Sequence, residues 1–322
     1  MTIISFDVGK RELVGVRINK SAQIKERIVL ANAPEAIDSF LDEVKQKYPR
    51  LIMSSEATAD YHYCLAKHCL ELEIPFRLIN PILTKQFIRS TIRKKKTDLT
   101  DALIIAKLTL QGEGTLLSLK SLDPLKAVNR TAFKINRIYG MLSAICSRIE
   151  RVFPEQEAVL SEVRKPLLPL EQTVIALRSQ VAEGIDQSLK NLLISIPGVG
   201  PTIAATLITE IGDIQRFPSG KSLVAYAGLD PRIRQSGISL KRNTKLTKRG
   251  SPYLRKAAYI AAYIAKRYDP ELKEYFEKKK KEGKRHKEAT CATARKLLYR
   301  VYAVWKRGTP YLKRYPQKEV LT

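Results

Sequence analysis

Thr2-Ile3-Ile4-Ser5-Phe6-Asp7-Val8-Gly9 opens the chain with a β-prone run that ends on a carboxylate and a turn glycine. Read outward, Thr2 to Asp7 is a first strand, and Leu13 to Ile18 is a second strand after a turn at Gly9-Lys10. Ala36, Ile37, Phe40, Leu41 and Val44 fall on one face of a helix over 33–48. Leu51 to Ser55 is a buried-type strand that delivers Glu56. Tyr61 to Leu72 reads as helix, Pro75 to Ile79 as strand and Asp98 to Leu110 as helix. Strands alternating with helices imply an α/β layer. The sequence thus predicts an α/β first domain over residues 1–124.

Beyond it the period changes. Ile135, Ile138, Leu142, Ile145, Ile149 and Val152 recur at alternating spacings of three and four, a heptad seam that Pro154 interrupts. A second seam runs through Val163, Leu167, Leu170, Val174, Leu177 and Val181, with Pro166 and Pro169 near its start. The pair reads as an antiparallel coiled-coil segment over 125–188, a projecting arm or dimer contact, with an ordinary bundle core as the alternative. Residues 189–322 form a third, mostly α-helical and strongly basic domain: between Ile214 and Tyr268 stand thirteen Lys or Arg and one acid, Asp230.

The 322 residues carry 58 Lys and Arg against 32 Asp and Glu, a net charge of +26. Such an excess repels itself unless a polyanion neutralises it, and nucleic acid is the expected partner. No apolar run is long enough to span a bilayer and the N-terminus lacks a signal-peptide pattern, so no membrane is expected and the expected location is cytoplasmic and nucleoid-associated. Cys64, Cys69, Cys146 and Cys291 show no paired spacing that suggests disulfides or zinc.

The chemistry is expected at four carboxylates. Asp7 and Glu56 end strands, where open α/β sheets place their site crevice. Asp98 and Asp101 share one side of a helix start, where the dipole favours negative charge. Four converging carboxylates repel unless cations lie among them, and hard oxygen donors suit Mg²⁺, with Mn²⁺ possible. Each residue alone is a weak signal: a turn Asp, a solvent-exposed strand-end Glu, an Asp98 that merely N-caps a helix, and a surface Asp101. Their order, strand Asp, strand Glu, helix Asp pair, is similar to that of RNase H-like nucleases of the RuvC kind. Arg93, Lys94, Lys95 and Lys96 precede the pair and can guide a phosphate backbone. Further on, Ile194 to Gly200 resembles a helix-hairpin-helix turn whose Gly198 and Gly200 let backbone N–H groups reach a phosphate, and a plain turn between packed helices explains the same letters.

Glu56-Ala57-Thr58, Asn80-Pro81 and Lys96 to Ala102, then Tyr226 to Arg232, Gln235-Ser236-Gly237 and Thr247 to Arg255, together resemble the DEDD transposases of the insertion-sequence-110 family, related to the Piv invertases. The resemblance covers nearly the whole chain. It implies a RuvC-like (RNase H-like) domain, a coiled-coil segment and a transposase domain with a serine nucleophile. It implies an enzyme that cleaves and exchanges DNA strands site-specifically through a 5′-phosphoserine intermediate. Its partners would be donor and target DNA, a structured noncoding bridge RNA as guide, and further copies of itself, as dimer or tetramer. By position, Asp7, Glu56, Asp98 and Asp101 would bind the metal and Ser236 would be the nucleophile, with Ser239 three residues on. Arg232, Arg234, Lys241, Arg242, Lys248, Arg249 and Arg255 stand where they could hold phosphates. Two other readings stay open: a RuvC-like junction nuclease that uses water, and a non-catalytic nucleic-acid-binding protein.

Overall fold

The computed structural model describes residues 1–57, 61–90, 97–231 and 246–312. The chain divides into two compact units, Met1–Leu122 and Asp123–Thr322.

In the first unit, β1 (Thr2–Val8), β2 (Glu12–Ile18) and β3 (Ile24–Ala31) form an antiparallel meander, followed by α1 (Pro34–Lys47) and β4 (Leu51–Glu56). Then come α2 (Tyr63–Glu71), β5 (Phe76–Ile79), α3 (Pro81–Ser90), α4 (Asp98–Leu110) and a two-residue β6 (Thr115–Leu116). The sheet order is β3-β2-β1-β4-β5-β6. β4 pairs in parallel with both β1 and β5, as crossover connections through helices require.

Side-chain alternation sorts this sheet into two faces. Ile4, Phe6 and Val8 of β1 join Ile37, Leu41, Leu65 and Cys69 in a core on the α1–α2 side. Ile3 instead packs with Val16 and Ile18 of β2 and with Ala102 and Ala106 of α4. The row Ile3, Ser5, Asp7 therefore faces α4. On β4, Leu51 and Met53 belong to the first core, which leaves Ser54 and Glu56 on the α4 side. A buried hydroxyl seam crosses that side: Ser5 Oγ and Ser54 Oγ lie 2.5 Å apart, and Thr109 Oγ1 donates to Ser54 Oγ at 2.7 Å.

Three elements were not legible from the sequence, the two-residue β6 among them. β3 is an edge strand whose Lys25, Glu26 and Arg27 break the apolar alternation, and α3 begins on Pro81, a residue suited to a first helical turn.

The second unit is helical: α5 (Pro124–Val152), α6 (Glu157–Arg164), α7 (Leu167–Gly184), α8 (Gln187–Ile194), α9 (Pro201–Ile211), α10 (Gly220–Tyr226), α11 (Pro252–Tyr268), α12 (Pro270–Lys281) and α13 (His286–Arg307). Among the described residues no helix is long and apolar enough to cross a membrane. Its main core gathers α8 to α11 and α13. α5 and α7 pack side by side and run antiparallel, since Gly184 at the end of α7 sits against Leu125 at the start of α5.

The expected seams are met in part: every position of the second, Val163 to Val181, is buried or half-buried, as are Ile135, Leu142 and Ile149 of the first. Pro166 divides the second one, leaving Val163 on α6 and the rest on α7. On α5 the buried positions are Asn129, Ala132 and Cys146, whereas Ile138, Ile145 and Val152 are 49%, 47% and 52% exposed. Heptad spacing identifies an apolar stripe but not the helix it meets. Of the three buried positions on α5, Asn129 meets Thr209 of α9.

Candidate functional site

The register brings Asp7 and Glu56 together. Phe6 is opposite Ser55 across the parallel β1–β4 pair, so the next residues on each strand, Asp7 and Glu56, stand at neighbouring C-terminal strand ends. α4 lies over β1 and β2 on the same side of the sheet. Its start is fixed by a reciprocal cap: the Thr100 backbone N–H donates to Thr97 Oγ1 at 3.2 Å, and the Thr97 N–H to Thr100 Oγ1 at 2.9 Å. That cap sets the first turn, which carries Asp98 and Asp101.

The electrostatic result is visible at Asp7. Its carboxyl is raised from 3.8 to about 6, first by partial burial, then by the negative charges of Asp101, Asp98 and Glu56. All four expected carboxylates thus share one neighbourhood. Glu56 is oriented by Thr84, a buried hydroxyl on α3 that donates to Glu56 Oε1 at 2.6 Å. Thr84 was not singled out in the sequence, and a lone Thr on an amphipathic helix gives no signal for such a role.

Among the described residues no three His, Cys, Asp or Glu are grouped closely enough to hold a metal ion. The four carboxylates form a like-charge neighbourhood rather than an assembled ligand shell. Their donor chemistry, carboxylate oxygens only, fits a hard divalent cation. The four cysteines are free thiols, and His68 of the Cys64–Cys69 stretch pairs with Asp38.

In the second unit, Ser236 with Arg232, Arg234, Lys241 and Arg242 lies outside the described residues, as do Arg93, Lys94, Lys95 and Lys96. The flanks of the Ser236 segment pair with each other. Ser251 N–H donates to Tyr226 O at 2.8 Å, Lys248 N–H to Gly228 O at 3.1 Å and Thr247 N–H to Asp230 O at 2.8 Å, and Pro231 bridges Leu246. These contacts make an antiparallel stem of residues 226–231 and 246–251. Gly250 is required there, because a Cβ would lie 1.8 Å from Tyr226 O. Lys248 and Arg249 are exposed on the stem. Arg255 is used differently: its guanidinium donates to Ala227 O at 3.0 Å and is partly buried.

The turn from α8 to α9 also has two characters. Gly198 has φ +85°, and a Cβ there would lie 2.3 Å from Ala261 O, so this glycine permits close packing on α11. Gly200, at the N-terminus of α9, faces open space. Only Gly200 has its surroundings free for an approaching phosphate.

Beneath the stem lies a network that the sequence reading missed. Glu210 of α9 is fully buried, and Arg130 of α5 holds it with a two-point fork, Nε to Oε1 at 2.6 Å and Nη2 to Oε2 at 2.9 Å. Ser251 Oγ donates to Glu210 Oε2 at 2.8 Å. Tyr226 OH donates to the Glu210 carbonyl at 3.3 Å and receives Lys126 Nζ at 3.4 Å. Arg130 keeps the Glu210 carboxyl below its ordinary range although burial alone would raise it. The available signal was Glu210 itself, the one ionisable residue in the apolar run Ile203 to Ile211.

Residues 4–135 match a DEDD family described as Transposase, and residues 190–277 match the Transposase IS116/IS110/IS902 family. The two matches take in the carboxylate neighbourhood and the stem. The chain belongs to the IS110 family of transposases. Members of this family are DNA-cleaving enzymes. The Moraxella bovis pilin gene-inverting protein is 29% identical over 80% of this chain and 81% of its own length. A Yersinia enterocolitica transposase for insertion sequence element IS1328 is 26% identical over 82% of this chain and 86% of its own. An IS110 protein of Streptomyces coelicolor is 30% identical over 52% of this chain and 40% of its own. Among solved structures, T. thermophilus RuvC in complex with a Holliday junction substrate is similar over 36% of this chain and 99% of that one. With 16% identity and a TM-score of 0.28, it is too remote to define the fold.

Proposed function

We propose that this transposase is an RNA-guided recombinase that cleaves DNA through a 5′-phosphoserine link at Ser236. The observation that supports metal-dependent cleavage in this reading is Asp7, beside Glu56 at the C-terminal strand ends, whose carboxyl is raised to about 6 first by burial and then by the charges of Asp101, Asp98 and Glu56. Such a cluster favours a bound cation, and Asp7, Glu56, Asp98 and Asp101 would hold Mg²⁺ or Mn²⁺ through hard oxygens. When bound, the ion neutralises charge that develops on the scissile phosphate.

In the proposed step Ser236 Oγ loses its proton and bonds the scissile phosphorus. The bond from phosphorus to the 3′ oxygen breaks, and that oxygen leaves with a proton as a 3′ hydroxyl. Strand exchange reverses the step with a different 3′ hydroxyl. Lys248 and Arg249, exposed on the stem, would contact the DNA backbone, together with Arg232, Arg234, Lys241 and Arg242 beside Ser236 and Arg93 to Lys96 before α4. Gly200 would approach a phosphate at the N-terminus of α9.

The assignment of parts follows the same reading. Residues 1–124 form a RuvC-like catalytic domain, 125–188 a coiled-coil segment and 189–322 the transposase domain. The exposed stripe Ile138, Ile145 and Val152 supports pairing of such arms between subunits of a homo-oligomer. A guide RNA shares the cationic surface with donor and target DNA, and the enzyme works in the cytoplasm at the nucleoid.

The test is a denaturing gel with labelled DNA carrying the recombination site and with the RNA that co-purifies with the protein. Wild type gives a band of protein joined covalently to DNA, Ser236→Ala does not, and Ser239→Ala does. A band that persists in Ser236→Ala and vanishes in Ser239→Ala moves the nucleophile by three residues. Cleavage to free ends that is indifferent to both serines identifies water as the nucleophile.

A further inference from the structure

Residues 226–231 and 246–251, the two flanks of the segment that contains Ser236, form one stem, and the base of that stem rests on Glu210. The chain on one side enters from Tyr226 at the end of α10, and on the other it leaves through Ser251, the N-cap of α11. Glu210 touches both. Its carboxylate receives the Ser251 hydroxyl, whose oxygen in turn accepts the Leu254 N–H at 3.1 Å, and its carbonyl receives the Tyr226 hydroxyl. The third partner comes from α5, where Arg130 closes the carboxylate with its fork and lies over the Tyr253 ring, 5.1 Å from its centre. Arg216 covers the Tyr226 ring at 4.5 Å.

This arrangement is not what packing alone favours. From Ala204 to Ile211 every residue of α9 is buried, and an apolar side chain at 210 would fill the space without desolvating a charge. A buried ion pair contributes little net stability over such a replacement. What it does contribute is direction, because the two oxygens accept from fixed donors on α5 and α11. A Leu would hold volume but not angle. The angle is enforced where the backbone turns into the stem, and there Gly250 and Gly228 bring the two flanks into contact.

We infer that Glu210, clamped by Arg130 and Ser251, is a positioning residue that fixes the stem and so the presentation of Ser236 to the scissile phosphate. The inference rests on the reading of Ser236 as nucleophile. It assigns no contact with substrate to Glu210 itself.

The experiment uses the full chain with its co-purified RNA and compares wild type, Glu210→Gln, Arg130→Lys and Ser236→Ala. Three quantities are read: the single-turnover rate of covalent adduct formation, DNA affinity, and backbone hydrogen exchange. Glu210→Gln should slow adduct formation by about 10- to 100-fold while DNA affinity stays within about twofold, since misplacing a nucleophile impairs attack more than binding. Exchange should quicken at the stem amides of Thr247, Lys248 and Ser251 and remain unchanged in α13. Arg130→Lys keeps the charge but not the fork, and should show the same pattern more weakly. It also serves as the test should Glu210→Gln fail to fold. The proposal is overturned if either folded variant forms adduct at the wild-type rate, or if exchange rises evenly over α9, α11 and α13 as a general loss of stability would produce. Failure of the underlying reading looks different: wild type itself then gives no Ser236-dependent adduct. In that case stem exchange still decides whether Glu210 fixes the stem.

Discussion

The carboxylate neighbourhood makes a prediction about stability that does not require activity. Asp7 is raised from 3.8 to about 6. A shift of roughly two pH units corresponds to about 3 kcal/mol between its protonated and ionised forms, and solvent screening of a half-exposed group reduces this to about 1–2 kcal/mol. The sign follows from proton linkage. The folded chain binds the Asp7 proton more readily than the unfolded chain, so the ionised carboxyl opposes folding above about pH 6, and that opposition fades as pH falls from 6 towards 3.8. Asp7→Asn removes the charge and keeps the shape. In chelator at pH 8 the variant should therefore be more stable than wild type by about 1–2 kcal/mol, a rise in melting temperature of roughly 3–10 °C for a unit of this size. At pH 4 the gap should close. Adding Mg²⁺ should raise the wild-type melting temperature by mass action and leave the variant unmoved. The measurement is calorimetry of the full chain across pH, with chelator and with Mg²⁺. A variant no more stable than wild type at pH 8, or a gap that does not change with pH, would refute the account of Asp7 as a carboxyl raised by burial and by its acidic neighbours.

Other consequences follow from separate parts of the molecule. Asp101→Asn should lower metal-dependent strand cleavage by roughly 100-fold or more while nucleic-acid affinity is retained; normal cleavage in Mg²⁺ would remove the acidic site from the chemistry. Affinity for DNA or RNA should fall by roughly 10³ or more between about 50 and about 200 mM salt, and a flat titration would argue against a phosphate-dominated interface. Glu210 contributes stability that is present above the ordinary carboxylate range and is lost as pH falls through its lowered value, so wild type and Glu210→Gln should converge in urea titrations at strongly acid pH. Gly198→Ala should destabilise the second unit by about 2–4 kcal/mol, from a positive φ and a Cβ pressed on Ala261 O, whereas Gly200→Ala should change stability by less than about 0.5 kcal/mol.

How much of this was legible depended on whether the signal was local. Asp7, Glu56, Asp98 and Asp101 could be gathered from sequence because strand ends and a helix start constrain where a side chain points, and the order of elements does the rest. The bounds Asp98 to Leu110 were read to the residue, although the cap is Thr97 and not Asp98. Thr84 was missed because its partner is distant in sequence and its residue type is common. The arm shows a different limit. Spacing of three and four picked out the apolar positions of α5, yet only Ile135, Leu142 and Ile149 of that seam are half-buried, while Ile138, Ile145 and Val152 are exposed. Gly198 and Gly200 were equal in the sequence, two glycines in one turn, and became unequal once α11 was packed behind one of them. Glu210 is the most instructive case. A lone acid in an apolar helix is unfavourable by every local rule, and local rules give no partner for it. Its partners Arg130 and Ser251 lie 80 and 41 residues away, on helices whose packing must form before the charge is compensated. On the inference drawn above its role is to fix direction rather than to add burial, since it sits under the stem that flanks the candidate nucleophile.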